Sequence, residues 1–144
     1  MCYLKTLLFF LFFFNINTII AQDMDAHKWK NRVLLVLSDD DNNLIFKNQI
    51  NEFKAHEKEL KDRKLIVYQI SKEGYAIGLN QVSNWQKTTK TYKIYKKDKK
   101  SSFEIILIGL DGGEKLRQSD FITSEALFRV IDVMPMRRSE LKNK

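Results

Sequence analysis

The sequence predicts an α/β fold: a four-stranded mixed sheet with helices on both faces. Short, almost continuously apolar segments recur along the chain, as is typical of strands that are buried on both faces. Between the first two of these segments, apolar residues recur at the period of an α-helix. After the last one, an Asp-Gly-Gly motif predicts a hairpin turn. These three observations together define the fold class.

The first half of the chain has the order strand, helix, strand. Arg32 to Leu37 (RVLLVL) and Leu65 to Ile70 (LIVYQI) predict two buried strands. Between them, one apolar stripe at helical spacing consists of Phe46, Ile50, Phe53 and Leu60. We therefore expect a single amphipathic helix and a right-handed unit with parallel strands.

The second half predicts two further strands and a final helix. Phe103 to Ile108 (FEIILI) is the third strand, and Asp111-Gly112-Gly113 leads back into an antiparallel edge strand from Glu114 to Arg117. The last helix is expected to begin after an N-cap at Thr123 and to end at Pro135.

The intervening segment, Ser71 to Ser102, has weaker signals. Gly74 and Gly78 indicate a loop, and Gln86 to Tyr95 predicts a helix although its threonines and tyrosines favour strands. The predicted order is thus β-α-β, a connecting helix, and β-β-α. This is a thioredoxin-like arrangement with a four-stranded mixed sheet.

Residues 1–21 resemble a signal peptide. Leu7 to Phe14 is an almost unbroken apolar run, and cleavage is expected after the small Ala21. A transmembrane anchor is the alternative, but the run is far shorter than the roughly 20 residues that a spanning helix needs. We therefore expect an exported protein, periplasmic or extracellular, without a membrane span after cleavage. Residues 22–144 then form a single thioredoxin-like domain.

The cysteine content excludes one class of chemistry. Cys2 is the only cysteine and lies in the predicted signal peptide, so the mature chain offers no thiol. In a thioredoxin frame, redox cysteines would fall near Asn42 and Ile45, and a proline would precede the third strand near Phe103. These positions carry none of them, and thiol–disulfide exchange requires a thiolate. A thiol–disulfide oxidoreductase is therefore excluded.

Three segments carry a resemblance to a known family. They are Trp29-Lys30-Asn31-Arg32 before the first strand, Ile108 to Arg117 (IGLDGGEKLR), and Leu127 to Arg138, which ends in Met134-Pro135-Met136-Arg137-Arg138. They resemble the domain of unknown function 4174. That family includes small exported bacterial proteins and domains of vertebrate sushi-repeat-containing matrix proteins. The resemblance implies a thioredoxin-like fold and export, and it implies no particular activity.

The loop from Asp39 to Asn43 (DDDNN) follows the first strand, where α/β folds often place ligands. Its oxygens could hold a cation, but Asp and Asn at such a position more often cap the following helix. His27 and His56 lie far apart in the sequence, without further metal-ligating residue types beside them. We therefore expect neither a metal nor a cofactor.

Basic residues supply the candidate binding surface. The formal net charge is +7, and removal of residues 1–21 lowers it by one. A lysine-rich segment between residues 87 and 100 contributes Lys93, Lys96 and Lys97, and a second group consists of Lys115, Arg117, Arg137 and Arg138. The structural alternatives are a solvated helix face for the lysines and, for Arg137 and Arg138, hydrogen bonds to carbonyls at the C-terminus of the last helix. Because export is expected, an anionic protein, polysaccharide or lipid head group is favoured over nucleic acid.

Two functions remain open from the sequence. The favoured prediction is a non-catalytic, exported binding module for an anionic partner. The alternative is an enzyme of unrecognised type that uses the loop from Asp39 to Asn43. This alternative predicts a concave pocket beside the loop, containing an acid with a perturbed pKa.

Overall fold

A six-stranded mixed sheet forms the centre of the fold. The computed structural model describes residues 24–80 and 85–143, and the predicted signal peptide lies outside them. The strands are β1 (Arg32–Ser38), β2 (Leu65–Ser71), β3 (Gly74–Ile77), β4 (Gln86–Lys87), β5 (Phe103–Ile108) and β6 (Glu114–Gln118). They lie in the order β4-β3-β2-β1-β5-β6. Only β1 and β2 run parallel; the other neighbouring pairs in this sheet are antiparallel. The predicted mixed sheet is confirmed, with two short strands added beside β2.

Helices lie on both faces of the sheet. They are α1 (Leu44–Ala55), α2 (Glu57–Asp62), α3 (Lys90–Tyr95), α4 (Ser124–Asp132) and α5 (Pro135–Lys142). The predicted first helix is divided into α1 and α2, because the backbone leaves helical geometry at His56, with φ −119° and ψ 27°. The predicted apolar stripe is nevertheless buried along its whole length, with Leu60 in α2 completing the row from α1.

The central strands bury side chains on both faces, as their continuous apolar sequences predict. Leu34 and Val36 of β1 pack on one face with residues of α1 and α4. Val33, Leu35 and Leu37 pack on the other face with tyrosines of β2, β3 and α3. Burying one such leucine stabilises a fold by about 1.5–3 kcal/mol, so β1 is a major contributor to stability.

Three local predictions are corrected. Gly74, predicted to lie in a loop, is instead the first residue of β3, which pairs with β2, while Gly78 follows that strand. The predicted helix from Gln86 to Tyr95 begins only at Lys90, because Gln86–Lys87 pairs with β3 as a short strand. Pro135 does not end the last helix. It is the first residue of α5, while α4 already ends at Asp132. Proline fits a first helical position because its missing N–H would have no partner there.

The predicted caps and the predicted turn are confirmed. The side chain of Asn43 accepts hydrogen bonds from two backbone N–H groups at the start of α1. The side chain of Thr123 accepts one such bond, from the Ala126 N–H, at the start of α4. Gly112 has a φ of 81°, which favours glycine, in the turn between β5 and β6. These local interactions fix where α1, α4 and β6 begin.

Candidate anion-binding cleft

The carboxyl ends of the parallel strands β1 and β2 meet at one edge of the sheet. Ser38 and Ser71, the last residues of β1 and β2, are register partners. The residues that follow them, Asp39 and Lys72, therefore lie side by side. Helix α3 packs above this edge and contributes Tyr92. A cleft of about 420 Å³ opens there, lined by Asp39, Lys72, Tyr92, Lys93, Lys96 and Lys99. We name it the lysine cleft.

Asp39 is held by two neighbours within the lysine cleft. The Tyr92 hydroxyl donates a hydrogen bond to Asp39 Oδ1. Lys72 Nζ lies 3.3 Å from Asp39 Oδ2 and 5.9 Å from the centre of the Tyr92 ring. The carboxylate is therefore fixed between a phenol and an ammonium group, and it ties the end of β1 to α3.

These contacts set the protonation states in the cleft. Burial raises the pKa of Asp39, but hydrogen bonds from Tyr92 and Lys72 lower it more, and the net pKa lies below its ordinary value. Burial and the Asp39 carboxylate together raise the pKa of the Tyr92 hydroxyl. At neutral pH Asp39 is thus ionised and Tyr92 is protonated. A carboxylate of lowered pKa is a weak general base, so the pair suits binding and structure better than proton transfer.

Lys96 has a structural role that the sequence prediction did not include. Its side chain is 4% exposed, and Nζ lies 3.4 Å from Glu104 Oε2 on β5. The same ammonium group donates a hydrogen bond of 2.6 Å to the Ser101 carbonyl, and it also donates to the Asp98 carbonyl. Lys96 therefore fixes the loop that follows α3, and its charge is balanced inside the protein.

Glu104 was missed by the sequence analysis, although a signal was present. It is an acid within an otherwise apolar predicted strand, FEIILI, and its side chain is 1% exposed. Arg117 Nη1 donates to Glu104 Oε1 at 2.6 Å, and the backbone N–H of Lys97 donates to Oε2 at 3.2 Å. A buried carboxylate needs such partners, so an acid in a buried strand could have predicted this ion-pair network.

Lys93 and Lys99 have a different environment from Lys96. Both are exposed, and neither has an ion-pair partner among the residues that the structure describes. Their ammonium groups are therefore available to a ligand of the cleft. Lys97 was also predicted to bind a partner. It is exposed, and its Nζ lies 4.0 Å from Glu114 Oε2.

The second predicted basic group does not form one surface. Lys115 Nζ binds Asp111 at 2.7 Å, and Arg117 makes a two-point contact with Glu114 in addition to Glu104. Arg138 is exposed and has no ion-pair partner among the described residues. Lys115 is exposed as well, but of this group Arg138 alone is both exposed and without an ion-pair partner among the described residues.

Arg137 is buried, although its predicted role in partner binding requires an exposed side chain. Its side chain is 3% exposed and contacts the acids Asp62, Asp132 and Glu140. Its Nη1 also donates to the carbonyl of Asp62, the last residue of α2, at 2.9 Å. Arg137 thus satisfies a helix carbonyl, but that carbonyl belongs to α2 and not to the last helix, as the structural alternative had it. Charge reversal at Arg137 would disrupt packing, so it cannot serve as a test of ligand binding.

The loop from Asp39 to Asn43 is organised mainly by its own hydrogen bonds. Asn43 caps α1, and Asp40 accepts a hydrogen bond from the Asn42 backbone at 2.9 Å. Among residues 24–80 and 85–143, no three His, Asp, Glu or Cys side chains come together in a group that could hold a metal ion. Nor does any helix in these ranges have the length and apolarity to cross a bilayer.

The fold and the site define a thioredoxin-like domain without thiols, with a lysine-lined cleft at the carboxyl edge of its sheet. The chain belongs to the family described as Domain of unknown function (DUF4174), whose sequence model matches residues 23–140. The earlier resemblance to this family is therefore confirmed.

A solved structure supports the fold assignment. The reduced 2-Cys peroxiredoxin of Plasmodium vivax matches with a TM-score of 0.58 at 16% sequence identity. The match covers 81% of this chain and 83% of the peroxiredoxin chain. At this identity the likeness shows a shared fold and nothing of the activity. No curated protein matches the sequence.

Proposed function

We propose that the chain is an exported, non-catalytic module that binds an anionic partner in the lysine cleft. The observation that carries this proposal is the pair of exposed lysines, Lys93 and Lys99, which line the cleft without an acidic partner among the described residues. Export rests on the signal-peptide pattern of residues 1–21.

The charges of the cleft favour an anion. Four lysines and a single acid line it, and both Asp39 and Lys96 are held by internal contacts. A ligand therefore meets the ammonium groups of Lys93 and Lys99, which are unpaired among the described residues, and beside them that of Lys72, which also contacts Asp39. Lysine is a point charge on a flexible stem and does not impose the planar geometry that arginine does. The cleft therefore suits a partner with several neighbouring negative groups, and its affinity should fall as salt rises.

The sequence also limits the chemistry of this module. No cysteine occurs after Cys2, so the thioredoxin-like scaffold has no thiolate for exchange reactions. A scaffold that keeps its fold without that nucleophile can still present a binding surface at the same edge of the sheet. We therefore assign a binding role to the edge that carries Asp39.

One observation favours the alternative of an enzyme. Asp39, from the loop predicted for that role, does line a concave site and has a perturbed pKa. The two functions predict opposite effects of Asp39→Asn. In an enzyme that uses this carboxylate, the substitution abolishes turnover. In a binding module, it removes the one negative charge lining the cleft and strengthens the binding of an anion.

The test compares matched variants against anionic probes of defined chemistry. The probes are polyglutamate, alginate, and vesicles that contain phosphatidylglycerol, which represent acidic protein, polysaccharide and lipid head group. The cleft variant is Lys93→Glu with Lys99→Glu. The control is Lys30→Glu with Lys58→Glu, which changes the net charge equally at exposed lysines outside the cleft.

The proposal predicts that at least one probe binds the wild-type protein and that binding weakens with added salt. The cleft variant should bind that probe about 10-fold or more weakly, and the control should lose much less. Equal losses in the two variants would mean that only net charge matters, which would refute a specific role of the lysine cleft. Absence of binding to every probe would also count against the proposal.

A further inference from the structure

A second cleft lies at the opposite end of β1, away from the lysine cleft. It has a volume of about 280 Å³, and its lining includes Arg32, Leu110, Asp111, Lys115, Met134 and Met136. We name it the Arg32 cleft. Arg32 is the first residue of β1, whereas Asp39 follows the last one. The two clefts therefore lie at opposite ends of β1, and they share no lining residue.

The guanidinium of Arg32 is only half satisfied. The residue is 1% exposed, and Nη1 donates to the Arg63 carbonyl at 2.8 Å and to Glu140 at 3.3 Å. The other two nitrogens, Nε and Nη2, are buried and have no hydrogen-bond partner in the part of the chain that the structure describes. Buried charged donors are rarely left in this state, so these two nitrogens call for a partner.

The two unsatisfied nitrogens lie on one edge of the guanidinium. Nε–H and one N–H of Nη2 point in parallel, and together they match the two oxygens of a carboxylate. Nη1, which is already engaged, lies outside this edge. The orientation of Arg32 is therefore fixed by Arg63 and Glu140, while its two-point binding edge is left for another group.

The start of α5 provides an independent attraction for an anion. Met134, the residue before the helix, makes no capping hydrogen bond with its side chain, and the first turn of α5 contains no acid. The first amide N–H groups of a helix have no partner within it, and the helix dipole makes this end positive. Met134 and Met136 place this end of α5 at the cleft.

The remainder of the cleft is largely apolar. Leu110, Met134 and Met136 supply aliphatic and thioether surface, and Lys115 is engaged by Asp111 at 2.7 Å. One cationic edge beside apolar walls suits a singly charged ligand with a hydrocarbon portion. A phosphate dianion would need more free donors than this site offers.

We propose that the Arg32 cleft binds a small carboxylate with an apolar body, with its two oxygens on Nε and Nη2 of Arg32. The hydrocarbon portion lies against Leu110, Met134 and Met136. This site is independent of the lysine cleft, and either one can fail its test without affecting the other.

The test is an NMR titration of the full mature chain that follows the Nε–Hε signal of Arg32. The probe is hexanoate, and hexanamide serves as the neutral analogue of the same size. Met136→Glu adds a negative charge at the mouth of the cleft, and Met136→Gln adds a polar group without charge. Met136 is 40% exposed, so both variants should fold.

Hexanoate should shift the Arg32 signal to saturation, and hexanamide should not. Its affinity should fall about 10-fold or more in Met136→Glu and clearly less in Met136→Gln, which removes apolar contact but adds no charge. An Arg32 signal that hexanoate does not move would overturn the proposal. An equal shift by hexanamide would also overturn it. So would a long-lived water at Nε of Arg32 that hexanoate cannot displace. Tighter binding of inorganic phosphate than of hexanoate would overturn the choice of an apolar carboxylate.

Discussion

Replacing Glu104 by glutamine should remove the charge that holds the buried side of the lysine cleft together. Glu104 is 1% exposed and lies 3.4 Å from the Lys96 ammonium, which is itself 4% exposed. At an effective dielectric constant of about 20, this pair attracts by about 5 kcal/mol. The neutral side chain is easier to desolvate, which offsets part of that loss. We expect Glu104→Gln to lower the free energy of unfolding by about 3 kcal/mol, the range measured for broken buried pairs.

Urea denaturation, followed by circular dichroism, measures this effect. With a slope of about 1.5 kcal/mol per molar urea, the midpoint should fall by about 2 M. Glu114→Gln is the control, since Glu114 also contacts Arg117 but has a side chain that is 42% exposed. That variant should lose about 1 kcal/mol or less. Equal midpoints for the two variants would show that burial does not make Glu104 more important to stability than Glu114.

Three further predictions follow from the contacts described above, each measured by urea denaturation. Asn43→Ala removes the cap of α1 and should cost about 1 kcal/mol; an unchanged midpoint would show that the cap contributes nothing. Arg137→Met leaves the acids around it without their central cation and should cost about 3 kcal/mol, and a loss below about 1 kcal/mol, as for a surface pair, would contradict its burial. The folded pKa of Asp39 lies below its ordinary value of 3.8, so its contribution is present above that pH and is lost as the pH falls through the folded pKa. Wild type should therefore lose more stability than Asp39→Asn between pH 5 and pH 2, and parallel losses would contradict the lowered pKa.

The parts of the fold that depend on local sequence were predicted correctly. The continuous apolar segments identified β1, β2 and β5, because burial on both faces leaves no room for polar residues. The polar edge strand β6 was identified from the Asp-Gly-Gly turn before it. Asn43 and Thr123 were recognisable as caps because the bonds they make are to residues two or three positions away. In such cases the neighbouring residues alone are enough to predict the element.

The parts that depend on distant pairing were not predicted. Gln86–Lys87 becomes a strand only because it pairs with β3, and nothing in its own sequence favours that state. The sequence indicated a surface position for Arg137, because its partner Asp62 is 75 positions away in the chain. Burial of a charge depends on such partners, which a single sequence does not reveal.

The candidate site was half predicted. The lysine-rich segment was identified from its charge, and Lys93 does line the cleft. Lys72 and Asp39 were not recognised as neighbours, although each follows one of two strands predicted to be parallel. Parallel strands end at the same edge of a sheet, so this juxtaposition could have been derived from the sequence.

The most direct test of the binding proposal is to map where an anionic probe contacts the protein. Backbone amide signals of the mature chain would be followed by NMR during titration with whichever of polyglutamate, alginate or phosphatidylglycerol vesicles binds most tightly. We predict that the largest changes occur at Lys72, Lys93 and Lys99, with little change at Lys30 and Lys58. Changes concentrated elsewhere on the surface, or no changes at all, would contradict the assignment of the lysine cleft as the binding site.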